Sequence, residues 1–295
     1  MEFIPFEFIE SVCGHLSQKS LVRIEKNLSK NNFWHQCADR HVSKYAYCRL
    51  TNYHIGETGF QTKKALKKQL KKMENAPPLY RRILEIWIER EMNHDNLITV
   101  TKEFVHERLE GRCPDSTGRL YLTLTDSHWV DRFTREIPNL ALVFTEFSLI
   151  YSGDSSIEFA RKIINNGHAR CLRLEDEWPE EIRPDVERFI TQRQWFHLSV
   201  DDPNIMFDNC QVFKNLLNSW LRDPLTEYYD PWQSSKPTKS LNVCFSFPFD
   251  RLRSFFQDFG HARVLRALHP SGKCSLLVEQ DFHLCSRLSI EFVVQ

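Results

Sequence analysis

Apolar residues in the first forty-five positions recur at intervals of three and four. Ile9, Val12 and Leu16 form one stripe, Leu21, Ile24 and Leu28 a second, and Phe33, Cys37, His41 and Tyr45 a third. That spacing puts each set on one face of a helix. Pro5 suits the first turn, where its fixed φ and missing N–H do no harm. Glu7 and Glu10 complement the dipole of the same helix. Ser17 or Ser20 is placed to cap a second helix, and Asn31 or Asn32 a third. The pattern predicts a three-helix unit over residues 1–45. So small a unit cannot bury all of that apolar surface by itself, so the surplus faces the rest of the chain or a partner.

The pattern then changes. Tyr45 to Thr51 is rich in strand formers, and Gly56 to Gly59 reads as a turn. Lys63 to Met73 places a lysine pair every four residues opposite Leu66, Leu70 and Met73, which predicts a helix with a broad basic face. Pro77-Pro78 breaks it. A further helix is expected from Leu79, with Ile83, Ile86, Trp87 and Met92 on its buried side. Residues 46–112 therefore read as a mostly helical connecting region, closed by the loop Gly111–Gly118.

Residues 113–295 alternate between strand and helix. Strands are expected at 120–125, 140–150, 170–175, 196–200, 241–245, 276–279 and 288–293, the last two as an antiparallel pair. Helices are expected at 156–165, ended by Gly167, at 184–190, at 212–220 behind a cap at Asp208 or Asn209, and at the phenylalanine-rich 249–259. Strands some 25 to 45 residues apart, with one helix between, predict an α/β body. It is either an irregular βα-repeat, leucine-rich-repeat-like in rhythm, or an open mixed-sheet domain, with a closed α/β sheet as the competitor.

Composition narrows the function classes. The 295 residues are 41% hydrophobic, with 22 Phe against 9 Gly, which favours a packed body. Lys+Arg and Asp+Glu balance at 39 each, so no overall field recruits nucleic acid or a membrane. The lysine face carries no arginine and no interleaved aromatics for stacking on bases, so it reads as a solvated helix. Nine cysteines stand singly, without CxxC or zinc-ligand spacing; Cys274, His283 and Cys285 come nearest and lack a fourth ligand. Reduced thiols, no signal sequence and no bilayer-spanning run point to cytosol or nucleus.

Ile4-Pro5-x-Glu7, an aliphatic at Val12, then Leu16, Leu21, Ile24, Leu28 and Trp34 resemble an F-box. The chain as a whole is similar to the divergent nematode F-box families, whose bodies carry segments like Phe213-x-x-Leu216-Leu217-x-x-Trp220. The resemblance implies a substrate-recognition role in a cullin-based (SCF-type) ubiquitin ligase. Ile4, Pro5, Glu7, Phe8, Val12, Leu16, Leu21, Ile24, Leu28 and Trp34 would contact a Skp-type adaptor, and the α/β body would hold a client protein. The other reading is a protein-interaction scaffold whose F-box-like helices are internal core.

Signals for catalysis are weak. No phosphate-cradling glycine loop, nucleophile elbow or HExxH is present. The acidic cluster Glu175, Asp176, Glu177, Glu180 and Glu181 reads as a solvated loop after a strand, and His197 and His283 as satisfied strand residues. A non-enzyme without cofactor or metal is expected. The long connection 222–237 carries Tyr228, Tyr229 and Trp232, residue types that anchor interfaces, and makes a candidate client-binding segment.

Overall fold

A computed structural model of the chain describes residues 4–16, 18–44, 46–55, 60–63, 67–75, 81–89, 97–100, 119–123, 144–200, 202, 204–222, 238–254, 258–259, 264–271, 274–280 and 287–294. The architecture is mixed α/β. The chain divides into two compact units, Met1–Phe147 and Ser148–Gln295, where the sequence suggests three segments with a boundary near Gly111–Gly118.

The first unit opens with α1 (Phe6–His15), α2 (Gln18–Asn27) and α3 (Phe33–Lys44). Pro5 is the N-cap residue of α1, in extended conformation, and its carbonyl accepts the Phe8 and Ile9 amides at 3.1 and 3.3 Å. Asn32 caps α3, its Oδ1 accepting the Trp34 N–H at 2.9 Å. The three helices close around Ile9, Cys13, Leu21, Cys37 and Ala38, with Phe6, Leu16, Ile24, Trp34 and Val42 packed against them. Each large side chain so buried contributes about 1.5–3 kcal/mol.

The sheet of this unit consists of β1 (Ala46–Ile55), β2 (Phe60–Lys63), β3 (Arg81–Glu89), β4 (Leu97–Val100) and β5 (Arg119–Thr123), in the order β5-β3-β1-β2-β4. β1, β3 and β5 run parallel, while β2 is antiparallel to both β1 and β4. The one described helix here is α4 (Lys67–Asn75). Among the described residues of 46–112 strand outweighs helix, and the helix expected from Leu79 is overturned by β3. Ile83, Ile86 and Trp87 fit helical spacing, but Leu84, Ile86 and Ile88 alternate equally well, and an Ile/Trp-rich run suits a pleated surface. Pairing on both edges, with β1 and β5, decides between them. The basic helix starts at Lys67, and Lys63 belongs to β2.

The second unit begins within β6 (Glu146–Ile150) and continues with α5 (Asp154–Asn165), β7 (Cys171–Glu175), a 3-10 turn at Glu180–Ile182, α6 (Arg183–Thr191), β8 (His197–Val200), β9 (Met206–Phe207), α7 (Gln211–Arg222) and β10 (Thr238–Phe245). Then come α8 (Asp250–Arg253), β11 (Asp258–Phe259), β12 (Val264–Leu268), β13 (Cys274–Gln280) and β14 (Arg287–Val294). Sheet order is β6-β7-β8-β10-β14-β13-β12-β11, with β9 beside β10. β7, β8 and β10 are parallel; from β10 onward through β14, β13, β12 and β11 every pair is antiparallel. The sheet is thus mixed.

Local signals account for the helices. In α5 the Ser156 hydroxyl accepts the Ser152 amide at 3.1 Å, while Ile157, Phe159, Ala160, Ile163 and Ile164 are buried. Gly167 ends it at φ +68, its amide bonding to the Ile164 carbonyl; only glycine or asparagine takes that conformation cheaply. Pro184 and Asp185 stand in the first turn of α6. Asp185 is buried, paired with Arg161 of α5 at 2.9 Å and with Arg188 one turn on. Asn209 Oδ1 accepts the Gln211 amide and starts α7, which buries Phe213, Leu216, Leu217 and Trp220. The core behind it is aromatic. Phe207, Phe213, Phe247 and Phe245 form a chain of rings 5.0–5.8 Å apart, and Phe292 lies 6.3 Å from Trp195 and 6.1 Å from Trp220. The helix expected over 249–259 shrinks to α8. Phenylalanine is a middling helix former, and Asp258–Phe259 pair with Leu265 and Arg266.

Candidate functional site

The three-helix unit sorts its apolar side chains into two groups. Leu21 is completely buried, so it supports the fold and offers nothing to a partner. Leu16, Ile24 and Trp34 are half-buried against the same core, and Val12 is half-buried. Ile4, Phe8 and Leu28 remain 45, 56 and 38% exposed, and Pro5 and Glu7 are exposed beside them in sequence. Phe33 joins this solvent-facing group at 48%. The 3-4 spacing with Cys37 and His41 assigned it to a buried face. It instead stands edge-on to the Phe6 ring at 6.2 Å. Tyr45 lies outside the described residues.

Beneath that surface, α1 and α3 are tied by a polar cluster. Glu10 Oε1 is 3.6 Å from His41 Nε2 and 3.7 Å from Arg40 Nη1, and the Arg40 guanidinium lies 5.1 Å over the Phe6 ring. Burial, then the hydrogen bond to Glu10, pushes the Cys37 thiol up to about 12. Burial, then the Glu10 charge, raises Cys13 to about 11. Both thiols therefore stay protonated and weakly nucleophilic near neutrality. Cys171, Cys210 and Cys244, like Cys13 and Cys37, are in no disulfide.

The remaining sequence candidates divide as follows. Lys67, Lys68, Lys71 and Lys72 are exposed on α4 while Leu70 is buried, an ordinary amphipathic arrangement. The acidic stretch after β7 is a turn pinned by Trp178, which is fully buried and donates its indole N–H to the Glu175 carbonyl at 2.8 Å. Three of its five carboxylates have partners: Ser148 for Glu175, Arg183 for Glu180 and Arg161 for Glu181. His197 Nδ1 lies 2.7 Å from the Ser240 hydroxyl across the β8–β10 pairing. Tyr228, Tyr229 and Trp232, with His283 and Cys285, lie outside the described residues. Among the described residues, no group of three or more His, Cys, Asp or Glu is arranged to hold a metal ion, and no helix is long and apolar enough to cross a membrane. No family model matches the chain, and no curated protein or solved structure matches it either.

Proposed function

We propose that the chain is a substrate-recognition subunit of a cullin-based, SCF-type ubiquitin ligase, docking on a Skp-type adaptor through α1–α3. One observation carries this reading. Ile4, Phe8, Leu28 and Phe33 stay in solvent although the helices already close a core of their own around Ile9, Leu21 and Cys37. Helices serving only as internal core would turn such side chains inward, whereas exposed aromatics are the usual anchors of interfaces. In this reading the chain carries no catalytic residue and contributes proximity. A client is held by the second unit. There β6, β7, β8 and β10 follow one another across the sheet in chain order with α5, α6 and α7 between them, the rhythm expected of a leucine-rich-repeat-like body.

The test is capture of full-length protein by purified Skp-type adaptor, with Phe8→Asp/Leu28→Asp as the matched variant. Both positions are exposed, so the variant stays folded and melts within a few degrees of the wild type. Stoichiometric capture of the wild type and loss in the folded variant support the proposal. Absence of capture by well-folded wild type rejects it and leaves the interaction scaffold.

A further inference from the structure

The second unit contains a groove between the C-terminal turn of α6 and the outer face of α7, with a volume of about 320 Å³. That is within the range of ligand pockets, roughly 300–1,000 Å³. Its apolar part is Ile190 and Leu216, both buried, with half-buried Val212. Its polar part comes mostly from α7: Asn215, Ser219 and Arg222, which stand at i, i+4 and i+7 and so share one face, with Asn218 beside them, while α6 adds Thr191, whose hydroxyl already donates to the Arg188 carbonyl.

The hydrogen-bond inventory of this face is lopsided. Asn215 Oδ1 already accepts from Gln211 at 2.8 Å, which leaves its two N–H bonds as donors. Ser219 contributes a hydroxyl and Arg222 a guanidinium. Among the described residues, no acidic residue lines the groove and Arg222 makes no ion pair or hydrogen bond. Arginine presents a planar fork of donors that matches a carboxylate in two bonds. A donor-rich wall beside an aliphatic floor fits a ligand with a carboxylate next to a branched side chain.

We infer that the α6–α7 groove binds a short acidic peptide segment, seating an aliphatic side chain on Ile190 and Leu216 and a Glu or Asp carboxylate on Arg222. The inference rests on the proposed function only for the owner of that peptide, a client protein. Binding itself needs no adaptor.

The probe is a pool of fluorescent hexapeptides with one fixed Leu and one fixed Glu, compared with the same pool carrying Gln, titrated against the full-length chain. A partly exposed charge pair corresponds to about fivefold tighter binding of the Glu pool. Arg222→Ala removes the preference, and Ser219→Glu, at an exposed helix position, reverses it. Arg222→Lys retains it in part. Melting curves accompany each variant, because an Arg222 that served only the end of α7 would alter stability and leave binding untouched. Equal binding of both pools by the wild type overturns the inference. So does a Glu preference that survives both Arg222→Ala and Ser219→Glu, or a self-association lost in Arg222→Ala, which would make a second copy the occupant. Adaptor capture is scored separately, so its failure removes the ligase role and leaves peptide binding standing.

Discussion

Leu21 and Phe8 belong to the same three-helix unit and carry opposite expectations. Leu21 is fully enclosed, and Leu21→Ala removes three carbons from a core of five buried residues. Transfer and cavity terms together cost about 3 kcal/mol, within a range of about 2–5. For the compact unit Met1–Phe147 that contains these helices each kcal/mol moves the midpoint by about 2–4 °C, so melting falls by about 6–12 °C. Phe8 is 56% exposed. Less than half of the about 1.5–3 kcal/mol available from full burial is at stake, and the better helix propensity of alanine returns part of it. Phe8→Ala therefore costs about 0.5 kcal/mol. Phe8→Asp is equally mild, because Phe8 lies in the first turn of α1, where a carboxylate faces the positive end of the helix dipole. On adaptor binding the order inverts. Loss of an aromatic anchor worth about 2 kcal/mol weakens the complex about thirtyfold, whereas Leu21→Ala, below its melting range, binds normally. Thermal melting and adaptor titration on the same preparations read both effects. Leu21→Ala melting within 2 °C of wild type would refute the packing argument. A folded Phe8→Asp that binds adaptor at wild-type strength would refute the docking argument.

Further expectations follow from the second unit and from the thiols. Asp185→Asn leaves Arg161 and Arg188 without their carboxylate, but both arginines are 41–50% exposed and rehydrate. The cost is about 2 kcal/mol, below that of a fully buried pair, and a double-mutant cycle with Arg161→Ala in urea checks the coupling. Gly167→Ala meets no atom within 4 Å yet must hold φ +68, so it destabilises by about 1 kcal/mol while Gly167→Asn costs less; chemical denaturation ranks the two. Cys13 and Cys37, raised to about 11 and about 12 from 9.0, favour the folded state while the thiols are neutral. Their contribution is complete below pH 9 and is lost as pH rises through 11 to 12, because the unfolded chain ionises first. Urea midpoints across pH 8–11 fall in wild type and fall less in Cys13→Ala/Cys37→Ala. At pH 8, iodoacetamide labels half-exposed Cys210 well before either buried thiol.

Much of the helical framework was legible because spacing and caps agreed. Ile157, Ala160, Ile163 and Ile164 with Gly167, and Phe213, Leu217 and Trp220 behind Asn209, leave one reading. The Arg81–Glu89 stretch permits two periods, and its strand state is fixed by β1 and β5, partners more than 25 residues away in sequence. Val264–Leu268 is similar: five residues with one charge show no decisive period until β13 pairs with them. At the candidate docking surface, the sequence picked out apolar residues but could not rank their exposure. Leu21 and Leu28 occupy equivalent places in one stripe, yet one is sealed and the other is 38% exposed. Phe33 was missed because a residue at a helix start can swing off the stripe it nominally joins. The α6–α7 groove had no signature, since its floor and its donors come from helices some twenty residues apart and meet only after β8 has been laid down between them.

The position of β14 bears on how the second unit is made. β10 is hydrogen-bonded to β8 on one edge and to β14 on the other, and β14 is held in turn by β13. On the ribosome, β10 emerges more than forty residues before Arg287–Val294. Until that last segment is synthesised, Leu241, Val243 and Phe245 sit on a strand with one open edge, and β13 waits with another. Open apolar edges of this kind recruit other chains. A stop or frameshift ahead of Arg287 would therefore leave a nascent chain with two strand edges exposed, making it a substrate for quality control.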